Sequence, residues 1–259
     1  MKVNNTSWGA VADWYDDLIK DSEDSYQKKV IMPNIIRILQ PKKDMRILDV
    51  ACGQGYFARA FHQNGANVVG CDISAELVDI AKKHTPKERE SEINFFALPS
   101  DKLHPEWRDF DAVTVIMALQ NIENLSGTIA ECSRVLKAGG RLLAVINHPA
   151  FRIPRKSSWQ WDENAGSQFR RIDAYMSDEQ QKIDMSPGEN DKLKKKFTVS
   201  FHRPIQSYFK AMAKSGFAVV RMEEWISHKK SQSGPRAAEE DRIRKEIPMF
   251  LCLEAKKIS

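Results

Sequence analysis

Residues 46–74 read "RILDVACGQGYFARAFHQNGANVVGCDIS", and this stretch decides the fold. A short apolar run carries Asp49, a glycine-rich turn follows, and a second apolar run ends in Asp72. Residues 55–64, between them, have the amphipathic spacing of a helix. Strand, turn, helix and strand in so short a span make one parallel crossover unit, right-handed as nearly all such units are. Gly53, Gly55 and Ala58 match G-x-G-x-x-G/A, and Asp72 stands 19 residues after Gly53. Glycines in such a turn let the backbone approach a ligand closely. An acid at the end of the second strand suits ribose hydroxyls.

The same rhythm continues outward. "MRILDV", "NVVGCD", "INFFAL", "FDAVTVIM" and "GRLLAVIN" lie between Met45 and Asn147. They are rich in Val, Ile and Leu and bounded by Gly, Asp or Pro, as buried parallel strands are. Helices are expected at 55–64, 75–85 and 126–137, the last stopped by Gly139 and Gly140. The fold class is α/β, with a doubly wound parallel sheet over residues 45–148. Residues 1–44 hold two helices, about 9–20 and 25–40, the second ended by Pro41. Residues 149–200 lose the rhythm and interleave aromatics with Arg and Lys, as an insertion on the sheet. Residues 201–259 return to it, with a helix after Pro204, the strand "FAVVRMEE", a charged helix near 237–245 and the strand "PMFLCLEAKK".

Composition narrows the class. Of 259 residues, 42% are hydrophobic and 29% charged, as in ordinary soluble domains. No apolar run is long enough to span a membrane, and "MKVNNTSWGAVADWYDD" lacks the order of a secretory signal. The four cysteines, 52, 71, 132 and 252, form no pair or cluster, which points to a reducing cytoplasm. The six histidines are scattered, so no metal site is expected. The net charge is +5, but residues 1–150 carry −2 (18 basic, 20 acidic) and residues 151–259 carry +7 (22 and 15). The basic half is either a solvated surface or a face for an anionic partner.

Asp49 bears on the ligand. Asp72 and the glycines alone fit a dinucleotide equally well. A pyrophosphate at the following helix N-terminus would be opposed by a carboxylate four residues before Gly53. S-adenosylmethionine has a sulfonium and an ammonium beside its adenosine and no phosphate, so the acid favours it over NAD. The plainer role for Asp49 is a cap for amides of the turn, and the two roles can coexist.

"ILDVACGQG" with "VVGCDIS" resembles the first two motifs of class I S-adenosylmethionine-dependent methyltransferases, in particular the small-molecule branch with the type 11 methyltransferase domain. "FDAVTVIMALQNIEN" and "ECSRVLKAGGRLLAVINH" are similar to later family motifs, and "AVADWYDD" to a helix over the cofactor. The resemblance implies a Rossmann-like, mostly parallel seven-stranded sheet with an antiparallel last strand. It implies S-adenosyl-L-methionine as cofactor, with S-adenosyl-L-homocysteine as product. Asp49, Ala51, Cys52, Gly53 and Gly55 would line its methionine part. Asp72 would hold the ribose and Ile73 pack on the adenine. Leu119 and Gln120 would face the sulfonium and Tyr15 cover the carboxylate. Where the family offers an acid and a small residue near the adenine amine, this chain has Pro99-Ser100, so Ser100 stands in that place.

Methyl transfer to an O, N or C nucleophile is an in-line displacement that needs alignment and exclusion of water, and a base only where the acceptor must lose a proton. His148, just past the fifth strand in "VINHPAF", is the candidate base; its alternative role is a turn bonded to backbone. His202 is a weaker second. Tyr175 and Tyr208 are possible acceptor-pocket hydroxyls. In the insertion, Trp159, Trp161, Phe169 and Tyr175 could cover an apolar or aromatic acceptor. Arg152, Arg155, Arg170 and Arg171 could hold an anionic one, as a lid. The aromatics could equally be the insertion's own small core. The rival readings are an RNA-directed methyltransferase, suggested by "KLKKKF", a non-catalytic cofactor-binding protein, and an NAD-dependent oxidoreductase. The N/D-P-P-aromatic and Pro-Cys motifs of nucleic-acid enzymes are absent after the fourth strand, so a small-molecule acceptor is the expected partner.

Overall fold

The apolar runs become strands of one sheet in the computed structural model of the chain, which describes residues 8–21, 23–86, 93–186, 191 and 195–258. The strands are β1 (Arg46–Val50), β2 (Asn67–Asp72), β3 (Ile93–Ala97), β4 (Phe110–Ile116) and β5 (Leu136–Asn147). They are joined by β10 (Phe217–Trp225) and β11 (Phe250–Lys257) in the order β10-β11-β5-β4-β1-β2-β3. Pairings among β1 to β5 are parallel, and β11 runs antiparallel to both β5 and β10. The sheet is therefore seven-stranded with one reversed strand, the last in sequence, as the resemblance implied. The order reverses between β1 and β4, and ligands of open α/β sheets bind in the crevice outside such a point.

Alternate residues on each strand feed two cores. Ile47, Ala112, Leu143 and Val145 face α2 (Met32–Leu39), α3 (Tyr56–Gln63) and α4 (Ala75–Lys83). Leu48, Val113, Leu142, Ala144 and Ile146 face α5 (Leu125–Val135) and α6 (Ile205–Lys214). Each fully buried aliphatic side chain contributes about 1.5–3 kcal/mol, so strands apolar on both faces belong in the middle. α1 (Ala12–Asp21) and α2 precede the sheet. α2 closes at Gln40 in the left-handed conformation (φ 49°), just ahead of Pro41.

The fifth strand departs from expectation. A helix was expected to run to residue 137, but α5 ends at Val135 and β5 starts at once with Leu136. Phe110 pairs with Leu136 and Ala112 with Arg141, so β5 carries the extra residues as a bulge. A Cβ at Gly140 would meet the Lys137 carbonyl at 2.9 Å, which is why a glycine turns the chain there.

Within the insertion, two antiparallel strand pairs are described, β6 (Ser157–Asp162) with β7 (Ser167–Ile172) and β8 (Glu179–Asp184) with β9 (Phe197–His202), the last running two residues past position 200. α7 (Ala237–Glu246) anchors the first: Glu239 accepts the Gln168 amide at 3.1 Å. Arg236 bonds Glu163 at 2.7 Å and lies over the Trp161 ring at 4.4 Å. Residues 192–194 of the lysine run lie outside the described residues. No helix among the described residues is long and apolar enough to cross a membrane.

Candidate functional site

A cavity of about 650 Å³ opens at the C-terminal ends of β1, β2, β4 and β5, within the 300–1,000 Å³ usual for ligand sites. The strand ends reach it in a row. Asp72 and Ile73 follow β2, Ala51 and Gly53 follow β1, Met117 and Gln120 follow β4, and Asn147 and Arg152 come last, from β5. α1 contributes Trp14 and Tyr15, and the insertion supplies Trp159, Arg170, Thr198 and Ser200. Ala51, Met117 and Arg155 line it with φ of 56°, 57° and 59°, a conformation non-glycine residues seldom adopt and one that gathers at functional sites.

The glycine turn is built around Asp72. Its carboxylate accepts the Gly53 amide at 2.9 Å and the Ser74 amide at 2.9 Å, tying the turn to the start of α4. Burial raises its pKa in spite of these bonds. Gly53 has φ +56°, and a Cβ there would sit 3.3 Å from the Tyr15 ring, so a side chain would be strained and would crowd the tyrosine. Burial, and then the charges of Asp72 and Asp49, raise the Tyr15 phenol, which therefore stays neutral.

Asp49 lies beneath this turn, 1% exposed. Its Oδ1 accepts the Thr114 hydroxyl at 2.7 Å, and its Oδ2 is buried with no full hydrogen bond among the described residues, although the Ala58 amide points its charge toward the carboxylate. Burial raises its pKa to about 7, with the Thr114 bond opposing, the charge of Asp72 adding to the rise and the Ala58 amide drawing it weakly back. Gln120 presents a second orphan. Its Nε2 donates to the Met117 carbonyl at 2.8 Å, while its buried Oε1 has no partner. Among the described residues these two acceptor oxygens are unsatisfied, Gln120 in the cavity lining and Asp49 beneath the turn within reach of the charge of Asp72, and they suit a ligand with a cationic, hydrogen-donating end.

The expected site residues divide. Tyr15, Ala51, Gly53, Asp72, Ile73 and Gln120 line the cavity together, and Ile73 offers a 45% exposed apolar surface beside Asp72. Asp49 underlies it. Gly55, φ +78°, caps the start of α3. Cys52 is a buried thiol whose pKa burial pushes well up, and it does not line the cavity. Leu119 is fully buried core. Ser100 turns away and bonds the Thr128 hydroxyl of α5 at 2.8 Å.

His148 also stands outside the lining. It is 1% exposed, its Nε2 bonds Glu224 of β10 at 2.7 Å, and its Nδ1 accepts the Ala150 amide at 3.2 Å. Both ring nitrogens are engaged, and burial lowers its pKa against the pull of Glu224. As arranged, this ring has no nitrogen with which to take a proton from a ligand in the cavity. His202 bonds the Tyr175 carbonyl at 2.9 Å, and the Tyr175 hydroxyl accepts the Ile205 amide at 3.0 Å. Tyr208 is buried in the core with its pKa pushed up to about 12. These groups hold the insertion to α6. Among the described residues, no three His, Cys, Asp or Glu side chains are grouped to hold a metal, and the four cysteines are free and buried.

Sequence reasoning missed Thr198 and Ser200. Their signal was there: Thr198, Ser200 and His202 alternate as the buried face of β9. Ser200 reaches the Gln120 carbonyl at 3.3 Å.

Residues 48–144 match the protein family described as "Methyltransferase domain". A ubiquinone biosynthesis O-methyltransferase of Coxiella burnetii is 32% identical over 100 residues, 39% of this chain and 42% of that protein. A demethylmenaquinone methyltransferase of Tropheryma whipplei is 35% identical over 104 residues, 40% of this chain and 42% of that one. The chain thus aligns with less than half the length of these curated relatives. Among solved structures, an S-adenosylmethionine-dependent methyltransferase from Mesorhizobium loti is 27% identical, with a TM-score of 0.69 over 86% of this chain and 96% of its own.

Proposed function

We propose that this chain moves a methyl group from S-adenosylmethionine to a small-molecule acceptor; residues 48–144 match the family "Methyltransferase domain", and the sheet is similar to that of a solved S-adenosylmethionine-dependent methyltransferase. The observation that carries the reading is the row of acceptors at the strand ends: Asp72 fixed on the glycine turn, the unsatisfied Oε1 of Gln120 in the lining, and the buried Asp49 beneath the turn. A cationic, phosphate-free nucleoside fits that set and a pyrophosphate does not. Curated relatives are named a ubiquinone biosynthesis O-methyltransferase and a demethylmenaquinone methyltransferase, which supports a small-molecule acceptor.

The bound cofactor supplies a methyl on a positively charged sulfur, so the acceptor's lone pair forms the new carbon bond while the carbon–sulfur pair stays on sulfur. The chain's contribution is placement. Asp72 is suited to the ribose diol, Ile73 to one face of the adenine, and Ala51, Gly53 and Tyr15 to the amino-acid end. Gln120 and Asn121, past β4, stand between this end and the arginines. Trp159, Thr198 and Ser200 wall off water from the insertion side. We read the insertion as a cover whose protease sensitivity falls when cofactor and acceptor bind. His148 is read as a tie between the ends of β5 and β10, with no proton routed through it.

Calorimetric titration with S-adenosylmethionine, S-adenosylhomocysteine and NAD tests the proposal, alongside Asp72→Ala. Binding of the first two, weakened at least tenfold by the substitution, is the expected result. Binding of NAD in their place would return the turn to dinucleotide chemistry.

A further inference from the structure

Nearly every arginine of this chain that bonds a side chain finds a carboxylate. Arg171 has Asp173 at 2.6 Å, Arg236 has Glu163 at 2.7 Å, Arg242 has Glu239 at 2.6 Å, and Arg141 and Arg221 share Glu254. The cavity breaks the pattern. Arg152 lines it, and its guanidinium has no hydrogen-bond or ion-pair partner among the described residues. Its backbone is fixed, with the amide donating to the His148 carbonyl at 2.8 Å. Arg170 lies beside it. Arg170 Nε donates to the Phe151 carbonyl at 2.8 Å and Nη2 to the Ser157 hydroxyl at 2.8 Å, leaving Nη1 unused.

The two charges feel each other. Partial loss of water lowers the pKa of both guanidiniums, with Tyr26 opposing at the exposed Arg152, and the charge of Arg152 lowers that of Arg170 further. Among the described residues the one carboxylate in the cavity lining is Asp72, at the opposite end of the row of strands. Arg152 keeps an exposed face and Arg170 is half-buried, so the two like charges repel side by side at the cavity wall, and an anion placed between them relieves that repulsion. The wall beside them is aromatic: Arg170 lies over the Trp159 ring at 5.1 Å, and Trp159 is 39% exposed.

The row of strands argues which anion this is. The glycine turn sits at the end of β1, and Arg152 follows β5, with β4 between. Two strand spacings, about 10 Å, separate them, on the side away from β2 and Asp72. Resting on the methyl-transfer reading for its role, we propose that the acceptor is an aromatic carboxylic acid, with its carboxylate forked by Arg152 and Arg170 and its ring against Trp159. A guanidinium offers two parallel donors in the plane of a carboxylate. With its acid end fixed there, the acceptor directs its other substituents back along the row, toward β4 and Gln120.

The test uses 4-hydroxybenzoate, 4-hydroxycinnamate and their primary amides as probes, titrated by calorimetry into the full chain with and without saturating S-adenosylhomocysteine. At least one acid binds about tenfold or more tightly than its amide. Arg152→Met and Arg170→Met each abolish that preference and leave S-adenosylhomocysteine affinity within about threefold, which also reports that the variants are folded. Acids that bind no better than amides to the unaltered chain overturn the proposal. So does a large loss of S-adenosylhomocysteine affinity in Arg152→Met, which assigns that guanidinium to the cofactor's own carboxylate. Failure of the unaltered chain to bind S-adenosylhomocysteine sinks the methyl-transfer reading instead, and the acid–amide comparison without it still decides the arginines.

Discussion

Asp49→Asn separates the two roles that a buried acid can play here. Its pKa is raised from 3.8 to about 7, chiefly by burial. In the unfolded chain the group ionises near 4. Between pH 4 and 7 the folded protein therefore holds a proton that the unfolded chain has lost, and this term reduces stability as pH rises through that window. Above 7 the loss is complete, about 4 kcal/mol for a shift of this size. Asparagine keeps an oxygen for the Thr114 hydroxyl and removes the titration. Its amide at the Oδ2 position costs about 1–3 kcal/mol for want of an acceptor, independent of pH. The stability of Asp49→Asn relative to the unaltered protein should thus rise by about 2.5 kcal/mol from pH 5 to pH 8. Urea denaturation at both values, followed by far-ultraviolet circular dichroism, measures it. The same substitution should weaken S-adenosylmethionine binding at pH 8. In the unaltered protein, binding below pH 7 should release a proton, read as a binding enthalpy that depends on the ionisation heat of the buffer. A difference between variants that stays constant from pH 5 to pH 8, with unchanged cofactor affinity, would refute the reasoning.

His148→Gln should lower the melting temperature while leaving kcat within about threefold, because a general base is worth about 10²–10⁴ and this ring is engaged at both nitrogens; a hundredfold fall in kcat in a folded variant would restore the ring as a base. Gly53→Ala should destabilise by about 1 kcal/mol or more and weaken S-adenosylhomocysteine binding, since φ is +56° and Tyr15 is 3.3 Å away; undiminished affinity by calorimetry would count against the turn as the cofactor's seat. Leu143→Ala, fully buried on the central strand β5, should cost about 2–5 kcal/mol by urea titration, and a loss under 1 kcal/mol would mean that this core collapses around the gap.

The sheet was legible because its strands are buried on both faces and read as continuous apolar runs. Gly53, Gly55 and Asp72 were legible because a tight turn before a helix demands those residue types at that spacing. The start of β5 was misread, since Leu136 to Gly140 looks like a helix end and becomes a bulged strand only once β4 lies beside it. Ser100 and His148 were placed on the right edge of the sheet. Their side-chain partners, Thr128 and Glu224, are 28 and 76 residues away, beyond the reach of local pattern. The hairpins of the insertion stayed hidden because β6, β7 and β8 bury no clean alternating face. Of the four arginines singled out there, only contacts in space separate Arg171, paired with Asp173, from Arg152, whose guanidinium has no hydrogen-bond or ion-pair partner among the described residues.

The place of β11 has a consequence in time. It lies between β5 and β10, although both are synthesised before it. On the ribosome, β5 emerges with one flank unpaired, and α6 and β10 follow with no neighbour in the sheet to join. Over 100 residues separate Asn147 from its partner Phe250, so closing the sheet waits on one long-range event. Until then an apolar strand edge stays open to other chains. Nascent chains halted before residue 250 should therefore be the aggregation-prone species, and addition of the β11 segment should rescue them.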